Sequence, residues 1–437
     1  MIAFLTRHEW KLLATNDVVR IVIAVFGAAL VFASLLGVAR ARAEDTAAIP
    51  APRSMRADAI ANERGAMLVM PAAPMASLAA GQSDVYPGYL KVTARNVDAL
   101  VTGDQVAHPL AVASGHFDVA FVILFLYPLL VFAISFDLTA GERDRGTLRM
   151  VLAQPVGLRD VVAGKVIARA VLLGVPAIII PILAASNAAP PRLAAWTAAV
   201  VAYGLIWHGI ALIVNARGWN AATNALVLAG IWLLFAIVGP ATINLIIDLR
   251  YPMPSRVTAA VQARAATQEA TVQGNRELGQ FLQDHPTSSN VGREGMRQFA
   301  MLQAARDRQI AERLQAVETA FEQQLQRQQR LASWLSVLSP TMVAQGVLLE
   351  TAGTGRTRFE HFNAAASRFQ AEWKAYFEPR VLDAATLTAD EVRDAPKFNY
   401  VDDTSVTGQV ATPIAGMAIA GAVLVWLGFR SYRGYQL

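Results

Sequence analysis

The sequence predicts an all-α polytopic membrane protein with six transmembrane helices, a large and mainly helical extracytoplasmic domain between spans five and six, and a smaller mixed insert between spans one and two. Of its 437 residues, 54% are hydrophobic and 16% are charged, whereas soluble domains carry about 25% charged residues. Six apolar stretches approach the length of about 20 residues that crosses a membrane. The absence of cysteine excludes a disulfide scaffold and metal sites built on thiolates.

The six apolar stretches are separated by connections of very different length. The third contains Arg169 near one end, where a long side chain can reach the membrane interface. The predicted spans are 21–39, 119–136, 166–185, 194–214, 225–247 and 410–429. The predicted domains are 1–39, 40–117, 118–247, 248–407 and 408–437.

The first span has one competing interpretation, a cleaved signal peptide. Residues 41–43 read Ala-Arg-Ala, which resembles a signal-peptidase site. The apolar run before them is longer than the about 7–15 residues of a signal core, so an uncleaved span is favoured. Phe4, Trp10 and Leu13 share one face of the preceding helix. This helix is either an element lying flat on the cytoplasmic interface or an ordinary amphipathic start, and both readings stay open.

Positively charged residues predict the orientation of the chain. Five of them lie in the loop 137–165, and Arg430 and Arg433 follow span six. Because basic residues in short loops favour the cytoplasm, both termini are expected there, in a bacterial inner membrane. Arg40 and Arg42 oppose this rule, but they begin a long segment, and long segments translocate largely regardless of charge. Basic residues beside spans also account for the net charge of +5 without nucleic-acid binding.

The two long segments are then extracytoplasmic. The first contains breakers between residues 85 and 106 that predict short strands or loops. The second predicts a helical hairpin, with one helix at 255–283 and a second whose apolar face runs through residues 310–325. Residues 331–349 are apolar but contain Trp334 and a proline, which favours an interfacial helix over a seventh span.

The loop 137–165 contains the most informative motif. Gly141 and Gly146 allow tight turns, Thr147 can cap a helix, and Leu148 supplies an apolar edge. Pro155 is expected to end that helix before span three. On composition alone, a solvated loop that follows the positive-inside rule explains these residues better than a functional site does.

The same residues resemble a known signature. Glu142-Arg143, Gly146-Thr147-Leu148, Pro155-Val156 and Gly164-Lys165 follow the order of the cytoplasmic motif of ABC-2-type transporter permeases. The resemblance covers residues 1–39, 116–247 and 408–437, including the flat N-terminal helix and the six-span layout.

This resemblance implies a permease subunit without enzymatic activity of its own. Glu142, Arg143, Gly146, Thr147 and Leu148 would form a coupling helix that contacts a separate ATPase subunit, and Pro155 and Lys165 would frame the entry into span three. The chain would pair with a second permease copy or a related permease, and two ATPase subunits would bind ATP and magnesium. Residues 157–165 do not form a phosphate-binding loop, because six residues separate the glycines and Val166 replaces Ser or Thr. No cofactor is therefore expected on this chain.

The region between spans five and six resembles a permease subgroup linked to copper-enzyme maturation. The resemblance rests on Leu338-Ser339-Pro340, on Ala352-Gly353-Thr354, and on Phe359, His361 and Phe362. Met67, Met70 and Met75 could bind Cu(I) through their thioethers, although ordinary packing explains them better.

Other polar residues have weaker functional interpretations. His208 and Asn244 lie within predicted spans, where polar side chains mark either functional sites or interhelical hydrogen bonds. Ser339 and His361 lack a hydrolase motif. The expected function is ATP-driven export or mechanical work on a periplasmic protein. A non-transporting scaffold that binds envelope proteins is the alternative, and a membrane-embedded enzyme ranks last.

Overall fold

The computed structural model describes residues 1–44, 56–57, 59–81, 88–94, 97–99, 117–252, 323–383, 385–402 and 406–434, with isolated positions between 265 and 319. The predicted helices at 255–283 and 310–325 lie largely outside these residues. Six described helices are long and apolar enough to cross a membrane, which confirms the predicted number of spans. They are Asp17–Arg40, Val119–Asp144, Leu158–Ala184, Pro190–Asn215, Ala221–Arg250 and Gly408–Ser431.

The connections between successive helices alternate between two faces of the bundle. We call the side that carries residues 136–157 and 216–220 the loop face, and the opposite side the insert face. The helices are α1 (Ile2–Thr15), α2 (Asp17–Glu44), α3 (Val119–Phe121), α4 (Tyr127–Ser135), α5 (Ala140–Asp144), α6 (Thr147–Leu152), α7 (Leu158–Ala184), α8 (Pro190–Asn215), α9 (Ala221–Leu233), α10 (Gly239–Arg250), α11 (Gln323–Ser336), α12 (Pro340–Ala352), α13 (Arg356–Leu382), α14 (Ala389–Arg393) and α15 (Val406–Ser431). Single π-helical turns, Val122–Leu126 and Leu234–Val238, interrupt spans two and five.

Span three begins earlier than its apolar sequence predicts. Helix α7 starts at Leu158, eight residues before the predicted boundary at 166. The added turns contain Arg159, Asp160 and Lys165, so hydropathy marks where the apolar layer begins and not where the helix begins. The predicted loop 137–165 is correspondingly shorter, and its non-span part ends at residue 157.

Spans four and six form the tightest helix pair. A Cβ atom on Gly209 of span four would lie 2.6 Å from Leu424 Cβ and 2.9 Å from Val425 N. A Cβ atom on Gly421 of span six would lie 2.7 Å from Leu205 Cβ. Small residues at such crossings let two backbones approach closely, which is a common way of packing membrane helices.

The insert face carries a small sheet, as the breakers in the first long segment predict. Strands β1 (Ala66–Val69), β2 (Tyr89–Val92) and β3 (Val97–Ala99) form an antiparallel sheet in that order. Asp118 joins this insert to span two, because its carboxylate accepts the amide N–H groups of Ala80 and Phe121, both at 2.8 Å.

The two long segments share one hydrophobic core, although the sequence predicts two separate domains. Leu68 and Leu90 of the sheet are buried in the same cluster as Phe362 and Trp373 of α13. Arg358 reinforces this junction, because its guanidinium pairs with Asp402 at 2.7 Å and donates to the Pro71 carbonyl at 2.8 Å. We call this joint unit the insert domain.

The predicted interfacial helix at 331–349 is instead two helices that turn back within the bundle. Helices α11 and α12 meet at a 119° bend. Gln328 of α11 donates to Asp248 at the insert-face end of span five, whereas Ser339 at the bend donates to the carbonyl of Phe235. These two positions on span five are 13 residues, or about 20 Å, apart. The bend therefore lies deep along span five.

Helix α12 returns to the insert face between spans four and six. The hydroxyl of Tyr203, midway along span four, lies 3.1 Å from the hydroxyl of Thr341 in α12. Ala344 and Leu348 of α12 are buried among span residues. At its end, Arg192 donates to the Thr351 carbonyl at 2.9 Å. The pair enters and leaves on one face, so the number of complete crossings remains six. The buried apolar residues of α12 pack among the spans, whereas Trp334 of α11 is 81% exposed.

The motifs of the copper-linked resemblance mark the two ends of α12. Ser339 is the N-cap, its hydroxyl accepts from the Met342 amide, and Pro340 occupies the first turn. Gly353 ends the helix with a φ of 79°, in the left-handed region that favours glycine. These residues consequently have a structural role within this chain.

We predict that Gly421→Ala destabilises the protein by about 1–3 kcal/mol, because the added methyl group overlaps span four. Gly416→Ala, in the same span, is the matched control, since a Cβ atom there meets nothing within 4 Å. The control should be neutral or slightly stabilising, as alanine favours helix by about 1 kcal/mol. Thermal unfolding in detergent measures both variants, and equal effects would show that the close crossing does not matter.

Candidate functional site

The apolar part of span two ends with α4 at Ser135, and the chain from there to span three folds into two short helices on the loop face. Helices α5 and α6 are joined at Gly146, whose φ of 74° places it in the left-handed region. Helix α6 ends at Leu152, three residues before Pro155, as predicted. Thr147 does not cap α6 with its side chain, and its hydroxyl donates instead to the Glu142 carbonyl at 3.2 Å.

A buried ion pair fastens the N-terminal helix to span three. Arg169 Nη1 lies 2.7 Å from Glu9 Oε1, and the two side chains are only 7% and 10% exposed. The same guanidinium donates through Nε to the Ile134 carbonyl, at 2.6 Å, near the end of span two. Arg169 therefore holds three elements together: α1, span two and span three.

Close helix packing supports this junction. A Cβ atom on Gly164 of span three would lie 2.8 Å from Leu5 Cβ and 3.1 Å from the backbone nitrogen of Thr6. Leu13 is buried against Ala168 one turn further along. The pairing of Glu9 with Arg169 thus occurs where α1 lies directly on the span.

A second ion pair, one turn from the first, fastens α5 to span three. Lys165 Nζ lies 2.7 Å from Glu142 Oε1 and donates to the Leu138 carbonyl at 2.9 Å. The Lys165 side chain is 9% exposed and that of Glu142 is 24% exposed. Glu142 and Lys165, two of the seven predicted site residues, are consequently engaged with each other within the chain.

Two asparagines connect the start of the loop to spans four and five. Asn215 accepts the Leu138 amide at 3.2 Å and donates to the Ser135 carbonyl at 2.8 Å. Asn224 donates to the Phe136 carbonyl at 3.1 Å. These bonds satisfy backbone groups where span two ends, and they hold the first residues of the loop in place.

Arg143 attaches the loop to the connection between spans four and five. Its guanidinium donates to the carbonyls of Gly218 and Trp219, which lie in the connection between spans four and five. Leu148 of α6 is also buried, with 1% of its surface exposed. We call the contacts of Glu142, Arg143, Lys165 and Arg169 the loop clamp.

The predicted site residues divide into two groups. Glu142, Arg143, Leu148 and Lys165 face the protein, whereas Gly146, Thr147 and Pro155 are exposed. Further exposed residues surround the second group, and Met150 is 72% exposed although it is apolar. We call this surface the outward patch, and its side chains are Asp144, Arg145, Thr147, Arg149, Met150, Gln154 and Pro155.

Sequence reasoning did not identify Glu9, Arg169, Asn215 and Asn224 as functional residues. The sequence contains one indication of this site, because an ionisable residue inside an apolar span requires a partner. Arg169 is such a residue, but Glu9 lies 160 positions before it in the sequence, so only the fold reveals that the two side chains pair.

The two polar span residues with weaker interpretations occupy different environments. His208 is buried, and its Nδ1 lies 2.8 Å from the Gly204 carbonyl, so it bonds within its own helix. Its Nε2 makes no hydrogen bond within the described residues. Asn244 is exposed on the surface of span five.

The methionines considered for copper lie in different surroundings, and the two residues considered for hydrolysis are far apart. Met75 is buried with span residues, Met70 packs against the core of the insert domain, and Met67 is partly exposed on β1. Ser339 and His361 lie beyond opposite ends of α12, which is about 20 Å long. Where the structure describes the chain, no three His, Asp or Glu side chains could hold a metal ion.

Comparison with known proteins gives one partial match. Residues 256–401 match a family model described as a domain of unknown function, DUF3526. This segment includes α11, α12, α13 and α14, and it does not include the loop clamp. No curated protein matches the chain.

We predict that Glu9→Gln destabilises the protein by about 3 kcal/mol or more, because it leaves the buried Arg169 guanidinium without its closest anion. Asp17→Asn is the control, since Asp17 pairs with Arg20 at an exposed site where such pairs contribute less than about 1 kcal/mol. Thermal unfolding in detergent compares the two variants. Similar losses of stability in both variants would mean that the Glu9–Arg169 pair contributes no more than an exposed ion pair.

Proposed function

We propose that this chain is the transmembrane subunit of an ATP-driven, ABC-2-type transporter, and that residues 136–157 contact a separate ATPase subunit. The observation that carries the proposal is the loop clamp. A solvated loop has no need of the Glu142–Lys165 ion pair and of several hydrogen bonds to the spans, whereas a mechanical contact must be firmly attached.

The clamp offers a direct path for force. Glu142 joins α5 to Lys165 of span three, and Arg143 joins it to the connection between spans four and five. Arg169 then joins span three to α1 and span two. Because packed helices and ion networks have discrete arrangements, a push on the loop would tilt several spans together.

The geometry refines the role of each predicted residue. Glu142, Arg143, Leu148 and Lys165 hold the loop in place, and the outward patch is the surface that an ATPase could contact. Gly146 provides the turn between α5 and α6. Met150 is the side chain best suited to enter a partner's groove, because it is apolar and protrudes from α6.

The complete assembly follows from this role. Two permease chains, identical or related, would pair with two ATPase subunits that bind ATP and magnesium. The loop face would lie in the cytoplasm of a bacterium, with both termini, and the insert domain would engage a substrate or a periplasmic protein. The proposed activity is export or mechanical work across the inner membrane.

A scaffold without transport activity is the second candidate. The insert domain supports it, because an independent core of aromatic residues such as Phe362 and Trp373 gives a rigid surface for binding envelope proteins. The scaffold predicts that partner binding does not change with ATP, whereas the transporter predicts that it does.

We predict that Arg149→Glu combined with Met150→Glu reduces recovery of the ATPase on purification by about tenfold or more, as expected for loss of central interface residues. Both side chains are exposed, so thermal unfolding should not change. The measurement is affinity purification from native membranes, with the ATPase identified by its nucleotide-binding motif and its hydrolysis of ATP. Arg433→Glu, exposed at the end of span six, is the matched control. Full recovery with the double variant, or no such ATPase with the unmodified chain, contradicts the proposal.

We predict that the loop face is cytoplasmic, and the cysteine-free sequence allows a clean test. Gln154→Cys should react with a membrane-impermeant maleimide only after cells are lysed. Val401→Cys, 78% exposed in the insert domain, should react once the outer membrane is opened. The reverse pattern would place the outward patch where no ATP-hydrolysing subunit can reach it.

A further inference from the structure

An open cavity lies beside α1 where span three enters the apolar layer. Its volume is about 480 Å³, within the range of small-molecule sites. The surface is mostly apolar, with one cation at its edge. The lining residues are Ile2, Ala3, Thr6, Arg7, Trp10 and Ile167.

Arg7 is the only charged residue among those that line the cavity. It is exposed, and it makes no ion pair or hydrogen bond within the described part of the chain. The two acidic residues of the first 20 positions are already engaged, since Glu9 pairs with Arg169 and Asp17 pairs with Arg20. The cavity edge therefore presents an uncompensated positive charge.

The residues around the cavity indicate that it lies at the headgroup level of the membrane. Trp10, which is 41% exposed, is a side chain typical of the headgroup level. From Ile167, an apolar stripe continues along span three through Val171, Val175 and Ile179, each between 43% and 49% exposed. The stripe extends about 18 Å into the bilayer. A cation above an apolar path of this length matches a phosphate group above an acyl chain.

We infer that this cavity binds one anionic phospholipid, with its phosphate at Arg7 and an acyl chain along the stripe of span three. Charge complementarity selects a lipid with a net negative headgroup over a zwitterionic one. The apolar stripe selects a membrane lipid over a soluble phosphate compound. The bound lipid fills the space between α1 and span three beside the Glu9–Arg169 pair, so it stabilises the seating of α1. This site is independent of the proposed transport function.

The test is lipid binding by the purified full-length chain, measured by native mass spectrometry with added phosphatidylglycerol or phosphatidylcholine. We expect one tightly held phosphatidylglycerol, and Arg7→Gln should weaken its binding by about tenfold or more, the loss of a charge-assisted contact. Lys11→Gln is the matched control, because Lys11 is an exposed cation on the same helix that does not line the cavity. Lys11→Gln should weaken the binding of phosphatidylglycerol by no more than about fivefold, which is the effect of one basic residue near a charged surface.

Two further variants at Ile167 test the apolar wall of the cavity and the alternative that a second copy of the chain occupies it. Ile167→Trp should displace the lipid by filling the cavity while every charge is kept. Ile167→Cys should remain monomeric under oxidation. Equal losses in the Arg7 and Lys11 variants, or equal binding of both lipids, would overturn the inference. A disulfide-linked dimer through position 167 would also overturn it, because a second copy would then occupy the cavity.

Discussion

The charge on Arg169 is the constraint from which the arrangement of the loop face follows. A guanidinium near the apolar layer is costly unless anions and carbonyl groups surround it. Glu9 supplies the nearer anion, Asp137 lies 4.0 Å away, and Ile134 supplies a carbonyl, so α1 and the end of span two must both come to span three. Lys165 repeats the arrangement one turn away with Glu142. The loop is thereby ordered by the needs of two buried cations, and its exposed residues are left available for a partner.

Arginines also organise the insert face, but through different acceptors. Arg192 donates to a carbonyl in the last turn of α12, where the helix dipole is negative. Arg358 pairs with Asp402 and donates to Pro71, and so it joins two distant parts of the insert domain. Between the two faces, glycines such as Gly421 bring spans four and six into backbone contact. The protein thus combines polar junctions at both membrane faces with close apolar packing between them.

The number of spans could be predicted from the sequence, because the length and hydropathy of each apolar stretch indicate a membrane crossing. The short strands could be predicted from the helix-breaking residues near Gly88. The seating of α12 could not be predicted, since it depends on side chains from spans four, five and six. The site was only partly predictable. The motif around Gly146 identified the loop, but it did not show that Glu142 also pairs with Lys165 within the chain, because pattern alone does not distinguish the two sides of a five-residue helix.

The shared core of the insert domain has a consequence for biosynthesis. Trp373 donates to the carbonyl of Ala61, which emerges 312 residues earlier. At translation rates of about 5–20 residues per second, the early strands wait roughly 15 to 60 s for their partner helix. Throughout this delay the nascent sheet exposes apolar side chains and unpaired strand edges. A chaperone that shields them, or rapid completion of the polypeptide, would then favour correct assembly of the insert domain.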